Sequence, residues 1–365
     1  MALTVALAAG GTGGHLFPAI ALASELSRRG HTVDLMTDPR AKEWAGEVAI
    51  RKIHIVEAAS PSGGGILGKI RAAGILARGT LKVRRVLAQA QVDIVVGFGG
   101  YPTVPPVLAA SLLGKPTIIH EANAVLGRAN KLLATRATAI ATAAAETSGL
   151  GGREAHTHHV GNPVRDAVLA ASERLYCAPT GDETVSLLVF GGSQGAHVFS
   201  HLVPDALELL PDTLRRRLRL TQQVREDDLK ALQHRLDKLS VQAEVAPFFA
   251  DMADRIAQAH FVVCRAGASS ISELSVIGRP ALLVPYPHAL DHDQRTNAAA
   301  LMAAGGAIAI EEKHLTPARF ADELTQRLSD PTGLNAAAEA AKSVGRPDAV
   351  HSLADLVEAI GQAPV

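Results

Sequence analysis

Gly10-Gly11-Thr12-Gly13-Gly14-His15 and, 181 residues later, Gly191-Gly192-Ser193-Gln194-Gly195-Ala196 are near copies of one another. Each follows a short apolar run, Val5 to Ala9 in the first case and Val185 to Phe190 in the second, and each leads into a stretch with helical patterning. That succession reads as a strand, a tight turn and a helix N-terminus. Such a turn suits phosphate. The first helical turn leaves backbone N–H groups unpaired at the positive end of the helix dipole, and glycines let the ligand approach closely. Two copies imply two anion-handling domains.

The length agrees, because 365 residues exceed one typical core and fit two domains. Apolar runs alternate with helical stretches throughout. In the first half they are Val33–Thr37, Ile94–Gly97, Thr117–His120 and Ala139–Ala141; in the second, Leu187–Phe190, Phe261–Cys264 and Ala281–Val284. This is the rhythm of parallel βαβ units, so the fold class is α/β with two Rossmann-like domains and functional loops at the C-terminal strand ends. Helix breakers at Gly161-Asn162-Pro163 place the boundary so that the domains cover 1–162 and 163–346. After Gly345-Arg346-Pro347, a helical stretch from Pro347 to Ile360 is expected to pack back on the first domain, giving it 347–365. The alanine-rich patch Ala139 to Ala145 reads as ordinary helix or loop.

Composition narrows the function. Acidic and basic residues number 36 each, which argues against nucleic acid as a partner. Two cysteines, Cys177 and Cys264, with no basic leader and cleavage site, point to a reducing cytosolic location and to unpaired core thiols. No stretch supplies the roughly 18 uncharged residues of a spanning helix. Between Ala58 and Val92, however, there are six basic residues (Lys69, Arg71, Arg78, Lys82, Arg84, Arg85) and no acidic ones, interleaved with Ile66, Leu67, Ile70, Ile75 and Leu76. That pattern suits an anionic membrane surface, while Leu76, Thr80, Val83 and Leu87 form a face that packs on the protein's own sheet.

Neither glycine loop is a standard nucleotide motif: Leu16 and Ala196 occupy the last glycine position of G-x-G-x-x-G, and no G-K-[ST] follows. A P-loop is excluded; a dinucleotide site keeps the support of Asp38, which ends the second strand where a ribose-binding acid sits. A third turn, Gly97-Phe98-Gly99-Gly100-Tyr101-Pro102, follows another strand. Cys264 to Glu273 places small residues at a helix start with Glu273 about a turn inside, which holds a diphosphate and a ribose or else forms a capping box of Ser270 with Glu273. The loop Pro285 to Asn297 is long and polar, suited to sugar hydroxyls; its Asp291-His292-Asp293 resembles a D-x-D metal site, the weaker reading. Asp227-Asp228 reads as the solvated face of a helix from Val224 to Leu236, and His156, His158 and His159 as residues without a ligand role. His15 and His120, the latter in His120-Glu121-Ala122-Asn123, read as loop histidines able to take a proton near neutral pH.

GGTGGH, GFGGYP, HEANAVLGRANK, GNPVR, GGSQGAH, CRAGASSISEL and DHDQRTNA occur together in this order. In that combination the chain resembles the glucosaminyltransferases that add N-acetylglucosamine to undecaprenyl-diphosphoryl-N-acetylmuramoyl-pentapeptide, lipid I to lipid II, in peptidoglycan synthesis. The resemblance implies the GT-B architecture, two Rossmann-like domains facing across a deep cleft, with UDP-N-acetylglucosamine on the C-terminal domain, the polyprenyl-diphosphate-linked acceptor on the N-terminal one, and no bound metal or cofactor. By position, Ser193, Arg165, the Phe249 backbone, Ala268, Glu273, Gln294 and Asn123 serve the donor. Gly11, Thr12, Gly13, Gly14 and His15, with Gly99, Gly100 and Tyr101, cradle the acceptor diphosphate. Ala122 and Asp293 depart from the family's usual glutamines.

The reaction so implied is an inverting attack by the acceptor 4-hydroxyl, with His15 as base and Glu121 as the alternative. Ile66, Leu67, Lys69, Ile70, Arg71, Ile75 and Arg78 become the membrane-facing residues of a peripheral protein on the cytoplasmic side. A UDP-N-acetylglucosamine epimerase and a non-catalytic sugar-nucleotide sensor are the rival expectations.

Overall fold

The computed structural model describes residues 1–41, 50–59, 65–192, 195–288 and 293–363. The chain divides into two compact units, Met1–Arg165 with Pro347–Val365, and Asp166–Arg346. The first contains strands β1 (Thr4–Ala8), β2 (Thr32–Thr37), β3 (Lys52–Ile55), β4 (Ile94–Gly97), β5 (Thr117–Glu121), β6 (Ala139–Thr142) and β7 (Thr157–His159). They form a parallel sheet in the order β3-β2-β1-β4-β5-β6-β7. The second contains β8 (Val185–Phe190), β9 (Leu218–Gln223), β10 (Gln242–Ala246), β11 (Phe261–Cys264), β12 (Ala281–Leu283) and β13 (Ala307–Ala309), parallel in the order β10-β9-β8-β11-β12-β13.

Central strands are apolar on both faces because helices cover both. In the first unit Leu7, Leu35, Ile94 and Val96 face the helix Gly13–Arg28 and the C-terminal helix Ala349–Gly361, which contribute Leu22, Leu26, Leu353 and Val357. Ala6, Ala8, Val95 and Ile119 face the helices Gly65–Gln89, Val104–Leu112 and Arg128–Leu133. Within Gly65–Gln89 the buried face is Ala72, Thr80, Val83 and Leu87, with Leu76 half-buried. In the second unit Phe199, Val203 and Leu207 of the helix His197–Leu209 and Phe320 and Leu324 of Pro317–Leu328 cover Leu187, Val189 and Val263. Helix ends follow local chemistry. Pro317 and Pro331 open helices whose caps, Thr316 and Asp330, accept from the N–H of Arg319 and Gly333, and Gly278 closes Ala268–Ile277 in the left-handed region.

Each sheet has one switch point, where the strand order reverses: β1 beside β4, and β8 beside β11. Ligands of doubly wound sheets bind beyond the C-terminal strand ends at such points. The glycine turns after β1, β4 and β8, and the turn Arg265–Gly267 after β11, therefore occupy the two positions the topology reserves for ligands.

Several local expectations are corrected. Ala139–Thr142 is a buried strand, as the apolar run Ala139–Ala141 suggested and not the ordinary helix or loop read from its alanines, because alanine side chains suit the tight sheet interior. The segment expected as one helix from Val224 is a 3-10 turn, Glu226–Asp228, followed by a helix Leu229–Lys238. Cys264 is buried, and burial pushes its thiol up; Cys177 is exposed instead of lying in a core. Among the described residues no helix is long and apolar enough to cross a membrane.

Candidate active site

In the first unit the turns after β1 and β4 are built against each other. The Gly10 N–H donates to the Gly99 carbonyl at 3.3 Å, and the Thr103 hydroxyl holds that carbonyl at 2.7 Å and the Ala8 carbonyl at 3.2 Å. Gly99 and Gly100 have φ of +92° and +75°, and a Cβ on Gly100 would lie 3.4 Å from Gly10 Cα. The positive φ at both positions is what favours glycine in this turn. His15 fills the remaining space, with Nδ1 3.0 Å from Thr12 Oγ1. Burial, and then the charge of Arg40, lower its pKa from the ordinary histidine value, so the ring is neutral at pH 7. Tyr101, next to Gly100 in the chain, is half-buried and opens the turn Tyr101–Thr103.

Gly11 is fastened separately. Its N–H donates to Asp38 Oδ2 at 2.8 Å, and Asp38 also receives Arg40 Nε at 3.0 Å and Nη2 at 2.7 Å. The Asp38 carboxylate thus clamps the glycine loop, which removes the support it lent to a dinucleotide site.

His120 and Glu121 are not in an exposed loop. Both end β5 and are buried, at 1% and 3% exposure. His120 Nε2 donates to the Gly161 carbonyl at 3.0 Å, and burial pushes its pKa down to about 4. Glu121 accepts from Asn123 N and Nδ2, both at 3.0 Å, from Gly127 N at 2.8 Å and from Asn130 Nδ2 at 2.9 Å. Burial raises its pKa while those donors oppose the rise. Asn123 lies in the first unit with its amide N–H turned to Glu121. Arg165 closes the first unit with its guanidinium 4.3 Å from the centroid of Phe17, one turn along the helix that follows the first glycine loop.

In the second unit Gly191, Gly192 and Gly195 fold the loop back on itself. A Cβ on Gly191 would overlap the backbone of Gly195 and Ala196, and Gly192 and Gly195 have φ of +81° and +66°. Ser193 lies outside the described residues. Asp227 is exposed, as a solvated face requires, but Asp228 is half-buried and accepts from His197 Nδ1 at 2.7 Å and Ser200 Oγ at 3.0 Å, joining the start of the loop's helix to the turn after β9. The helix Ala268–Ile277 starts from Gly267 as its cap, without a side-chain cap bond, so the Ser270–Glu273 capping box is not formed. Glu273 is buried inside that helix. Phe249 is buried under the Arg255 guanidinium, 4.0 Å from its ring centroid. Gln294 accepts the Tyr286 N–H at 2.9 Å, so its amide oxygen fixes the loop after β12 and its NH2 is the group left to donate. Asp293 accepts the Gln294 N–H at 2.8 Å in the first turn of Asp293–Asn297; Asp291 and His292 lie outside the described residues. Among the described residues no three His, Cys, Asp or Glu side chains form a metal site.

Four contributors escaped the sequence reading. Arg265 is 8% exposed, bonded to Glu312, with its guanidinium 5.3 Å from the Tyr286 ring centroid. Thr103 fastens the turn after β4. Arg40 stands beside the first loop. Asn130 is buried behind it, with Oδ1 lacking a hydrogen-bond partner among the described residues. An asparagine on the buried side of the short helix Arg128–Leu133 and an arginine directly after a strand were the available signals.

Comparison with known proteins agrees with this layout. Residues 5–142 match the glycosyltransferase family 28 N-terminal domain, and residues 186–353 match the family 28 C-terminal domain. A UDP-N-acetylglucosamine–N-acetylmuramyl-(pentapeptide) pyrophosphoryl-undecaprenol N-acetylglucosamine transferase of Rhizobium leguminosarum bv. trifolii is 52% identical over 98% of this chain and 95% of its own. The enzyme of that name from Brucella abortus is 51% identical over 98% and 94%. The crystal structure of Acinetobacter baumannii MurG superposes with a TM-score of 0.78 at 28% identity, covering 98% of this chain and 99% of that one. A putative UDP-N-acetylglucosamine 2-epimerase of Listeria monocytogenes shares the fold, with a TM-score of 0.68 at 16% identity over 100% and 98% of the two chains. Fold is all that likeness carries, whereas half-identity along the whole chain separates this protein from the epimerase and the sensor. The chain belongs to glycosyltransferase family 28, in the branch of the pyrophosphoryl-undecaprenol N-acetylglucosamine transferases.

Proposed function

We propose that this chain moves N-acetylglucosamine from UDP-N-acetylglucosamine to the 4-hydroxyl of lipid I, giving lipid II, with His15 as the general base. The observation that carries the assignment of His15 is its setting: a neutral imidazole wedged between two glycine turns at a sheet's switch point, with Nδ1 engaged by Thr12. In the reactive tautomer Nδ1–H donates to Thr12 Oγ1, and Nε2 takes the hydroxyl proton as that oxygen attacks the anomeric carbon opposite UDP, converting an α-linked sugar to a β-linkage. A sugar hydroxyl is a much weaker acid than imidazolium, so proton removal accompanies attack, and base assistance contributes about 10²–10⁴-fold. Glu121, saturated by four donors, shapes the loop that carries Asn123 in this reading.

The second unit is the donor domain and the first the acceptor domain. Glu273 takes the ribose hydroxyls, the Phe249 backbone the uracil, Ser193 and the N–H groups at Ala268 the diphosphate, and Gln294 the N-acetylglucosamine. Arg165 and the helix N-termini meet charge on the departing diphosphate without a metal. The protein works peripherally on the cytoplasmic face of the plasma membrane. The face of Gly65–Gln89 turned from the core supports this: Lys69, Ile70, Arg71 and Arg78 are exposed, Ile70 by 63%, and Ile75 is half-buried. Ile66 and Leu67 lie within that helix, but their side chains are outside the described residues. Arg78 and Lys82 share the carboxylate of Glu57, at 3.0 and 3.3 Å, which moderates the basic character of this face.

His15→Ala tests the assignment. Turnover falls by about 10²-fold or more while UDP affinity stays near wild type; loss of UDP binding would contradict the division of labour between the units. Changing Lys69, Arg71 and Arg78 together to Gln weakens sedimentation with anionic vesicles and spares activity on a short-chain acceptor; equal losses in both assays would mean these residues serve the fold.

A further inference from the structure

We propose that Arg40, held by Asp38, is a further acceptor-binding residue of this transfer, placed to meet the diphosphate at the first glycine loop. The proposal rests on the reading of that loop given above. Neither Gly10–His15 nor Gly99–Tyr101 contains a lysine or arginine. An acceptor diphosphate brings negative charge that backbone N–H groups and helix dipoles offset only in part, and the Gly11 N–H is already taken by Asp38. A side-chain cation at this loop completes the match.

Arg40 meets the geometric requirements. Its Nε and Nη2 grip the two oxygens of Asp38 at 3.0 and 2.7 Å, and its own N–H donates to Asp38 Oδ1 at 3.0 Å. A bidentate fork fixes the plane of a guanidinium and leaves its other three N–H groups to donate elsewhere. Asp38 is 12% exposed and Arg40 65%, so the carboxylate is the buried anchor and the guanidinium the accessible end. A Cβ on Gly11 would overlap the Asp38 carboxylate and come within 2.9 Å of Arg40 Cβ. Glycine stands there because this pair occupies the space a side chain would need. Without the guanidinium Asp38 keeps its bonds from the Gly11 and Arg40 backbone N–H groups, so Arg40→Gln leaves the loop anchored and a change in kinetics can be read as function.

Arg40 is also one of the charges felt by His15. The other titratable groups tied to it are Asp38, which holds Arg40, and His120 at the end of β5, whose own pKa responds to the charge of His15. The experiment is steady-state kinetics of Arg40→Gln, Arg40→Lys and Asp38→Asn with a short-chain polyprenyl-diphosphoryl acceptor across pH, with inorganic diphosphate as competitor. Arg40→Gln is expected to raise the acceptor KM about tenfold, leave the donor KM unchanged, weaken inhibition by diphosphate, and move the acid limb of kcat/KM to higher pH. Arg40→Lys keeps the limb in place and recovers part of the acceptor KM, since the charge survives and the fork does not. Asp38→Asn raises the acceptor KM as the anchor weakens. An acceptor KM within twofold of wild type and an unmoved limb in Arg40→Gln would overturn the proposal. If His15→Ala is inactive and diphosphate competes with acceptor while Arg40→Gln behaves as wild type, this inference fails alone; if diphosphate does not compete even in the wild type, the reading of the loop fails with it.

Discussion

His15 and Gly99 share one space. A side chain on Gly99 would begin 3.0 Å from His15 Cδ2 and 3.2 Å from Nε2, and Gly99 holds φ of +92°. Residues 84 positions apart thus form one structure, in which the turn after β4 is the wall against which the imidazole of the turn after β1 rests. Gly99→Ala is therefore expected to cut turnover at least about tenfold, through a cost of about 1–2 kcal/mol for the left-handed backbone and displacement of the ring. UDP affinity, measured by calorimetry, stays within twofold. Wild-type turnover in Gly99→Ala would mean that the position of the ring is unimportant.

The neutral state of His15 gives a pH dependence. Burial and Arg40 lower its pKa, so the unprotonated base persists below the ordinary histidine value of about 6.5. The acid limb of kcat/KM for the acceptor is expected below pH 6.5 and absent from what activity remains in His15→Ala. A limb that survives unchanged in that variant would belong to another group.

Glu121→Gln separates a loop organiser from a base. The neutral amide faces the Gly127 N–H and the Asn130 amide with a donor where an acceptor stood, a loss of about 2–4 kcal/mol. Denaturant unfolding should show it as a lower midpoint. A variant of wild-type stability without activity would instead make Glu121 the base.

Arg279 organises the second unit. At 1% exposure it has no carboxylate partner among its hydrogen bonds; its guanidinium donates to the carbonyls of Ala257, Ile277, Gly278 and Arg174, tying the ends of the helices Met252–Gln258 and Ala268–Ile277 together. Burial pushes its pKa down to about 10, still charged at neutrality. Arg279→Met strands those carbonyls and is expected to destabilise the protein by roughly 3 kcal/mol, seen as a lower Tm with a weakened donor site. An unchanged Tm would show that water replaces the guanidinium.

The C-terminal helix should loosen in acid. Arg29 bridges Glu25 at 2.7 Å, Asp355 at 2.6 Å and Glu358 at 2.9 Å, and His351 contacts Glu25 at 2.9 Å. Burial alone would raise the pKa of Glu25, but Arg29 and His351 hold it below its ordinary value; the bond from His31 does so for Glu358. Folded values below unfolded ones give stability that is present above the unfolded pKa, about 4.3, and is lost as pH falls through the folded values. Hydrogen exchange in Ala349–Gly361 should accelerate below pH 4.3 more in wild type than in Arg29→Ala, which starts with the contact weakened. Equal acid sensitivity would place the stability in Leu353 and Val357 packing instead.

Much of this architecture is legible in the chain because parallel strands covered on both sides must be apolar throughout. Val5–Ala8 and Phe261–Cys264 announce themselves for that reason. Lys52–Ile55, Leu218–Gln223 and Gln242–Ala246 do not, since strands toward the β3 and β10 edges carry polar side chains on one face and show no apolar run. Ala307–Ala309 hides in an alanine-rich stretch whose composition suits helix equally well. The glycine turns revealed the ligand ends of both sheets, but their partners come from strands adjacent only in space. Nothing in the sequence places Asp38 against Gly11, or Thr103 against the Gly99 carbonyl. His120 and Glu121 looked like loop residues because polar side chains ending a strand resemble a loop start; Gly161, Gly127 and Asn130, which satisfy them in the interior, lie 41, 6 and 9 positions away.

The most direct test is transfer of labelled N-acetylglucosamine from UDP-N-acetylglucosamine to a lipid I analogue, with EDTA present and with an acceptor-free control. The expected result is acceptor-dependent product, insensitive to EDTA, and at least about 10²-fold slower in His15→Ala. Product that requires a divalent metal, or UDP-sugar turnover that proceeds without acceptor, would contradict the metal-free inverting transfer assigned to this protein.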